Sequence, residues 1–238
     1  ITSQPGDIIK VTIVEGWNIE QIADVLHDEL KIDVDKFKNL IKDVNFMKGF
    51  DISANSLEGY IFPDTYFLLK YYTEKEILEL FVNQFKVNYN RLLKEIDIEN
   101  DFSMEELVIF ASIIQGEAMY ADEMPLISSV YHNRLKKNML LQADPTIQYI
   151  IPGKSRRLFN KDLKVDSPYN TYLYKGLPPG AINNPGIDAL HAALAPQESH
   201  YYYFVSNGEG RHVFSKTVEE HNLAKIQLKR KRKAMMEK

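Results

Sequence analysis

Apolar positions recur with a period near 3.6 over most of the chain, and polar caps mark where the periodic runs begin. Thr73 with Glu76, and Ser103 with Glu106, each read as a capping box, in which hydroxyl and carboxylate satisfy each other's backbone N–H groups. The first opens a helix to about Ile96 with Ile77, Leu80, Phe81, Gln84, Phe85, Asn88 and Leu92 on its core side. The second opens a helix that puts Leu107, Phe110, Ala111, Ile114 and Ala118 on one face. Asn18 with Gln21 caps an earlier helix carrying Ile22, Val25, Leu26 and Leu30, and a short helix over 35–43 turns Phe37, Leu40 and Ile41 inward. Asp122 is placed to cap a helix that tolerates Pro125 in its first turn and buries Ile127, Val130, Tyr131 and Leu135. A short helix is expected over 186–195, and Thr217 with Glu220 caps a terminal one ending in the basic run LKRKRK, read as a solvated helix end.

Strand patterns are fewer. IIKVTIV at 8–14 predicts a strand closed by a Glu15-Gly16 turn, and YYYFV at 201–205 a second, with Asn207-Gly208 turning the chain back through His212, Val213 and Phe214. Two stretches have neither period. Over 51–66 an aromatic, β-like run is interrupted by Pro63-Asp64, which suits an edge strand or a turn. The stretch 140–186 is rich in tyrosine, proline and asparagine, and its aromatic content argues against disorder. There Tyr169, Asn170, Thr171 and Tyr172 offer stacking faces and hydrogen-bonding groups that suit a carbohydrate cleft; a packed Ω-type loop is the equal alternative. The pattern is that of an α+β fold, mainly helical, with small sheet or hairpin elements.

Composition narrows the chemistry. The 238 residues, 45% hydrophobic and 26% charged, suffice for one sizeable core, or for one core plus a small satellite domain. A net charge of −4 argues against broad nucleic-acid binding. The absence of cysteine excludes disulfides, thiolate metal sites and a cysteine nucleophile. The six histidines follow no ligand spacing, His132 reads as a polar-face residue, and neither metal nor cofactor is implied. No apolar run of ~18 residues occurs to span a bilayer. The chain begins at Ile1 without methionine and is expected to be a fragment or processed form, with any anchor upstream.

Glu117 is the candidate for chemistry. It projects from the edge of the apolar stripe that begins after Ser103, where loss of water would raise its pKa and keep it protonated, as a general acid requires. A solvated glutamate on a helix flank is the alternative. Gly116 beside it costs roughly 1 kcal/mol of helix propensity, which suggests close packing or room for a ligand. Gln115 and Glu105 fall toward the polar side, as ordinary surface residues.

Several segments, in order, resemble the MltG (YceG-like) endolytic murein transglycosylases of bacteria. They are LEGYIFPDTY at 57–66, ASIIQGEA at 111–118, SSVYHNRL at 128–135, LQADPT at 141–146, SPYNTY at 167–172, GLPPGAINNPG at 176–186 and YYFVSNGEGRHVFSKTVEEHN at 202–222. The resemblance implies that Glu117 is the catalytic glutamate. Many members carry a second glutamate two residues earlier, where this chain has Gln115. That side chain points about 160° away around the helix, which favours Glu117. The resemblance also implies a partial LysM-like strand–helix subdomain over 1–50 ahead of a catalytic domain over 51–238.

The activity implied is lytic cleavage of the β-1,4 bond between N-acetylmuramic acid and N-acetylglucosamine, leaving a 1,6-anhydro end. Gln142, Asp144, Tyr169, Asn170 and Thr171 are the candidates for substrate binding; Asp144 also reads as a turn cap before Pro145. Structural hydrogen bonding is expected of His212 and His221. Nascent glycan strands are the expected partner, with penicillin-binding proteins and an N-terminal membrane anchor, enzyme outside the cytoplasmic membrane, implied by the resemblance alone. A hydrolytic muramidase using Glu117 and Asp144, and a non-catalytic peptidoglycan-binding module, are the alternatives.

Overall fold

The computed structural model describes residues 7–96, 102–153 and 155–236. Strand β1 (Ile8–Thr12) leads into α1 (Ile19–Leu30), whose capping box uses Asn18 and Gln21. Two short helices follow, α2 (Val34–Ile41) and α3 (Val44–Lys48), capped by Asp33 and Asp43. Strand β2 (Thr65–Leu69) then pairs antiparallel with β1, from Ile8 opposite Leu69 to Thr12 opposite Thr65. The region about Pro63 is therefore the approach to an edge strand.

Helix α4 (Glu74–Glu95) has the Thr73–Glu76 box and buries Ile77, Phe81, Phe85, Asn88 and Leu92 of the expected face, but the buried stripe is wider on one side. Leu78, Val82 and Tyr89 are buried with Ile77, Phe81 and Phe85, whereas Leu80 is 41% exposed. Helix α5 (Met104–Glu117) differs more. It begins at the Ser103–Glu106 box, yet every residue from Leu107 to Ile114 is buried, so it is a central helix covered on all sides rather than an amphipathic one.

Around α5 lie α6 (Met124–Lys136), α7 (Asp144–Ile150) and α8 (Ile187–Leu194). A hairpin of β3 (Tyr203–Ser206) and β4 (His212–Ser215) and the terminal helix α9 (Val218–Met236) complete the chain. The side chains of Arg232 and Lys233, in the basic run, lie outside the described ones.

Asp122 does not cap α6. It lies in a 3-10 turn and pairs with Arg211 on the hairpin loop, 3.0 Å away, while no side chain caps the helix. His132 is not on a polar face: its Nε2 donates to the Ala193 carbonyl at 3.0 Å and its ring packs on Phe110. His212 meets Glu123 at 3.1 Å, whereas His221 stacks on Tyr203 and its buried Nδ1 lacks a partner.

The N-terminal segment is not separate. One continuous apolar cluster runs from Val11 through α4 and α5 to Leu194, and no distinct LysM-like subdomain is seen among the described residues. Asn184, fully buried in the GLPPGAINNPG run, staples the two parts together. Its Oδ1 accepts from the N–H groups of Gly59 and Ile61, both at 2.9 Å, while its Nδ2 donates to the Trp17 carbonyl and to Glu58. Gly59 has φ +93°, and a Cβ there would lie 2.5 Å from Val108 Cγ1, so only glycine fits. Glu58 receives the Ile19 N–H at the start of α1, and burial pushes its pKa up to about 8.

Candidate active site

Glu117 is the last residue of α5, and Ala118 after it is extended, so the carboxyl stands where the chain leaves the core. Helix ends carry partial negative charge at the C-terminus, which disfavours a carboxylate there. The residue retains partial exposure. Tyr131, one of the most buried side chains, donates its hydroxyl to Glu117 Oε1 at 2.6 Å. Burial dominates and lifts the Glu117 pKa to about 7; the Tyr131 bond opposes it, the Asp144 charge adds to it, and Arg134 and the Asp144 backbone pull it down.

Gly116 explains how Asp144 comes so close. A Cβ at position 116 would lie 2.6 Å from Pro145 Cβ, so the glycine lets the start of α7 press against the end of α5. Close packing is observed at Gly116, which is also the penultimate residue of α5, where a helix near its end tolerates glycine. Asp144 opens α7 instead of capping a turn, and its exposed carboxylate accepts from the Tyr172 hydroxyl. Burial and Asp144 hold the Tyr172 pKa well above its ordinary value.

The remaining candidates divide. Gln142 is exposed, two residues before Asp144, with φ +51°, a left-handed conformation that costs a glutamine about 1 kcal/mol or more. Its N–H donates to the Thr171 carbonyl at 3.0 Å. Thr171 is 2% exposed, and its hydroxyl accepts from the Ala143 N–H and pairs with the Thr146 hydroxyl. Asn170 is fully buried: its amide donates to the carbonyls of Leu163 and Val165 and accepts from the Tyr172 N–H. Both side chains are committed to the loop's own hydrogen bonds, and they hold the segment that carries Gln142, Asp144 and Tyr172.

Tyr169 is half-buried. It leans on Tyr149 at 5.2 Å between ring centres and lines a separate small cavity with Glu58, Glu105 and Gly180. Gln115 is not a surface residue. It accepts from the Gly186 N–H at 2.9 Å and bonds Glu15, tying the end of α5 to the start of α8.

Two residues beside Glu117 escaped the sequence reading as functional. Tyr131 registered only as an apolar-face position. Arg134, 7% exposed, lies one turn further along α6, and all of its hydrogen bonds go to backbone carbonyls: Nε to Tyr202 at 2.6 Å, Nη1 to Leu141 at 2.6 Å and to Leu140 at 3.3 Å. A cation at position i+3 from an inward tyrosine, itself facing the candidate acid, is the sequence signal that could have found it. Among the described residues no cluster of three or more histidine or carboxylate side chains is arranged to hold a metal ion.

The arrangement provides one carboxyl poised to give and take a proton near neutrality, with an ionisable neighbour, a cation and two tyrosines about it. Comparison with known proteins gives the family of the chain. The model of the YceG-like family matches residues 1–227. An endolytic murein transglycosylase of Bacillus subtilis is 37% identical over 235 residues, 92% of this chain and 65% of that protein. One of Streptococcus pneumoniae is 26% identical over 250 residues, 93% of this chain and 45% of that protein. The chain thus spans less than two thirds of the length of these curated relatives. A crystal structure of a yceG-like protein from Listeria monocytogenes superposes with a TM-score of 0.80 at 35% identity, covering 90% of this chain and 75% of that one. Matched across nearly its whole length in both sequence and fold, the chain belongs to the YceG-like family.

Proposed function

We propose that the chain is an endolytic peptidoglycan lytic transglycosylase in which Glu117 is the single acid and base. The observation that carries this reading is the Glu117 carboxyl, shielded at the end of a buried helix, held by Tyr131 and raised to about 7. A protonated Glu117 gives its proton to the glycosidic oxygen as the bond to the muramyl C1 breaks. The carboxylate then takes the proton of the C6 hydroxyl, whose oxygen closes on C1 to form the 1,6-anhydro ring. Because the nucleophile belongs to the sugar, no second carboxylate has to activate water. A well-oriented intramolecular attack supplies about 7 kcal/mol or more of the barrier reduction.

Gln142, Asp144 and Tyr172 are the side chains offered to the glycan, with Asn170 and Thr171 positioning them and Tyr169 serving the neighbouring cavity. Glu117→Gln should abolish cleavage of purified glycan strands while the parent chain cuts them; equal cleavage by both would overturn the assignment.

The nearness of Asp144 to Glu117 favours one second reading, a hydrolase in which Asp144 activates water. Digestion in heavy-oxygen water separates the two: hydrolysis places the label at the new end, and cyclisation does not. By family resemblance, 1–50 corresponds to the partial LysM-like unit and 51–238 to the catalytic one. Resemblance likewise supports penicillin-binding proteins as partners and a single-pass anchor that places the enzyme outside the cytoplasmic membrane. Among the described residues no helix is long and apolar enough to cross a membrane.

A further inference from the structure

We propose that Arg134 is a positioning residue for Glu117: its guanidinium, pinned on backbone carbonyls, is the fixed positive charge that stabilises the carboxylate left behind when Glu117 gives up its proton. This deepens the reading above and rests on it. A buried guanidinium is costly unless an anion offsets it, and the bonds of Arg134 to Tyr202, Leu140 and Leu141 engage its Nε and Nη1 groups with neutral carbonyls and supply no anion. Its ring contact, Tyr203 at 5.3 Å, is neutral as well. Tyr131 links the two groups in space: it lies one turn back on α6, and its hydroxyl donates to Glu117 at 2.6 Å.

The groups that act on Glu117 are Tyr131 and Arg134 from α6 and Asp144 from α7, and Tyr172 on the loop beyond feels the Glu117 charge in turn. Asp144 opposes ionisation and the tyrosines stay neutral, so Arg134 is the positive charge among them. Before proton transfer the acid within the field of Arg134 is neutral; afterwards it is a carboxylate. The interaction is therefore stronger in the state the reaction creates, as preorganised electrostatic stabilisation requires. The same anchor on Leu140 and Leu141 fixes the chain just before Gln142 and Asp144, so the cation and the presenting loop keep a constant relation to Glu117.

The test is a carbon NMR titration of the Glu117 carboxyl in the intact chain, beside the pH profile of glycan cleavage. Arg134→Gln and Arg134→Met remove the charge, and Arg134→Lys keeps it. Either neutral variant that folds should titrate roughly one unit or more higher at Glu117, with the alkaline limb of kcat/KM moving up by the same amount and the plateau falling at least tenfold. The Lys variant should titrate with the wild type even if its Tm drops. An unshifted titration in a folded neutral variant, or a Lys variant shifted as far as the neutral ones, overturns the proposal. Failure of the wild type to cut glycan would sink the reading of function instead, and the titration would still decide whether Arg134 acts on Glu117.

Discussion

Replacing Glu117 by glutamine should stabilise the protein, and by an amount that depends on pH. The carboxyl has a pKa of about 7 in the folded chain against an ordinary value of 4.5. Between those values the folded state binds a proton that the unfolded chain releases. Stability therefore falls as pH rises through that window and is flat above it. Each pKa unit is worth about 1.4 kcal/mol, so the ionised Glu117 costs up to about 3 kcal/mol at pH 8, an upper bound because the residue keeps some solvent contact. The glutamine side chain would keep the shape and accept the Tyr131 hydroxyl without the charge. Wild type and variant should match in thermal denaturation near pH 4 and diverge toward pH 8, by roughly 6–12 °C in Tm at most. Parallel pH curves for the two proteins would refute the claim that folding suppresses ionisation of this group.

Three other substitutions test the framework around it. Gly116→Ala forces a methyl group into Pro145 and should cost about 1–3 kcal/mol in denaturant unfolding, with cleavage falling because the α7 end carrying Asp144 is displaced. Gln115→Ala removes the bond to the Gly186 N–H and should cost on the order of 1 kcal/mol while leaving the pH profile of cleavage unchanged. Asn184→Ala strands the N–H groups of Gly59 and Ile61 and one side of Glu58; a loss of roughly 3 kcal/mol or more is expected, read as a lower urea midpoint.

The helices that announce themselves by local chemistry were the legible ones. Asn18–Gln21, Thr73–Glu76 and Ser103–Glu106 fix helix starts through bonds three residues apart, and all three form. Burial was less legible. A buried helix and a one-sided one share the residues Leu107, Phe110 and Ile114, and only the packing of α6, α7 and α8 shows that α5 has no outer face. Asp122 was misread for the same reason, since its partner Arg211 comes from far along the chain, and Leu80 shares the period of the buried positions while lying exposed. Glu117 could be picked out because it sits at the edge of an apolar run. Its setting was not legible, because Tyr131 and Asp144 come to it from other helices through packing that spacing along α5 does not encode. Asn170 and Thr171 illustrate the converse: polar residues in an irregular stretch read as ligand contacts, and here they satisfy the loop's own backbone.

The most direct test is the mass of the product ends when the chain digests purified, uncrosslinked glycan strands. Cyclisation by one acid and base predicts 1,6-anhydro-muramyl ends, one water lighter than hydrolysis products, and their disappearance in Glu117→Gln. Reducing ends from the wild type, or anhydro ends that persist in the variant, would contradict it.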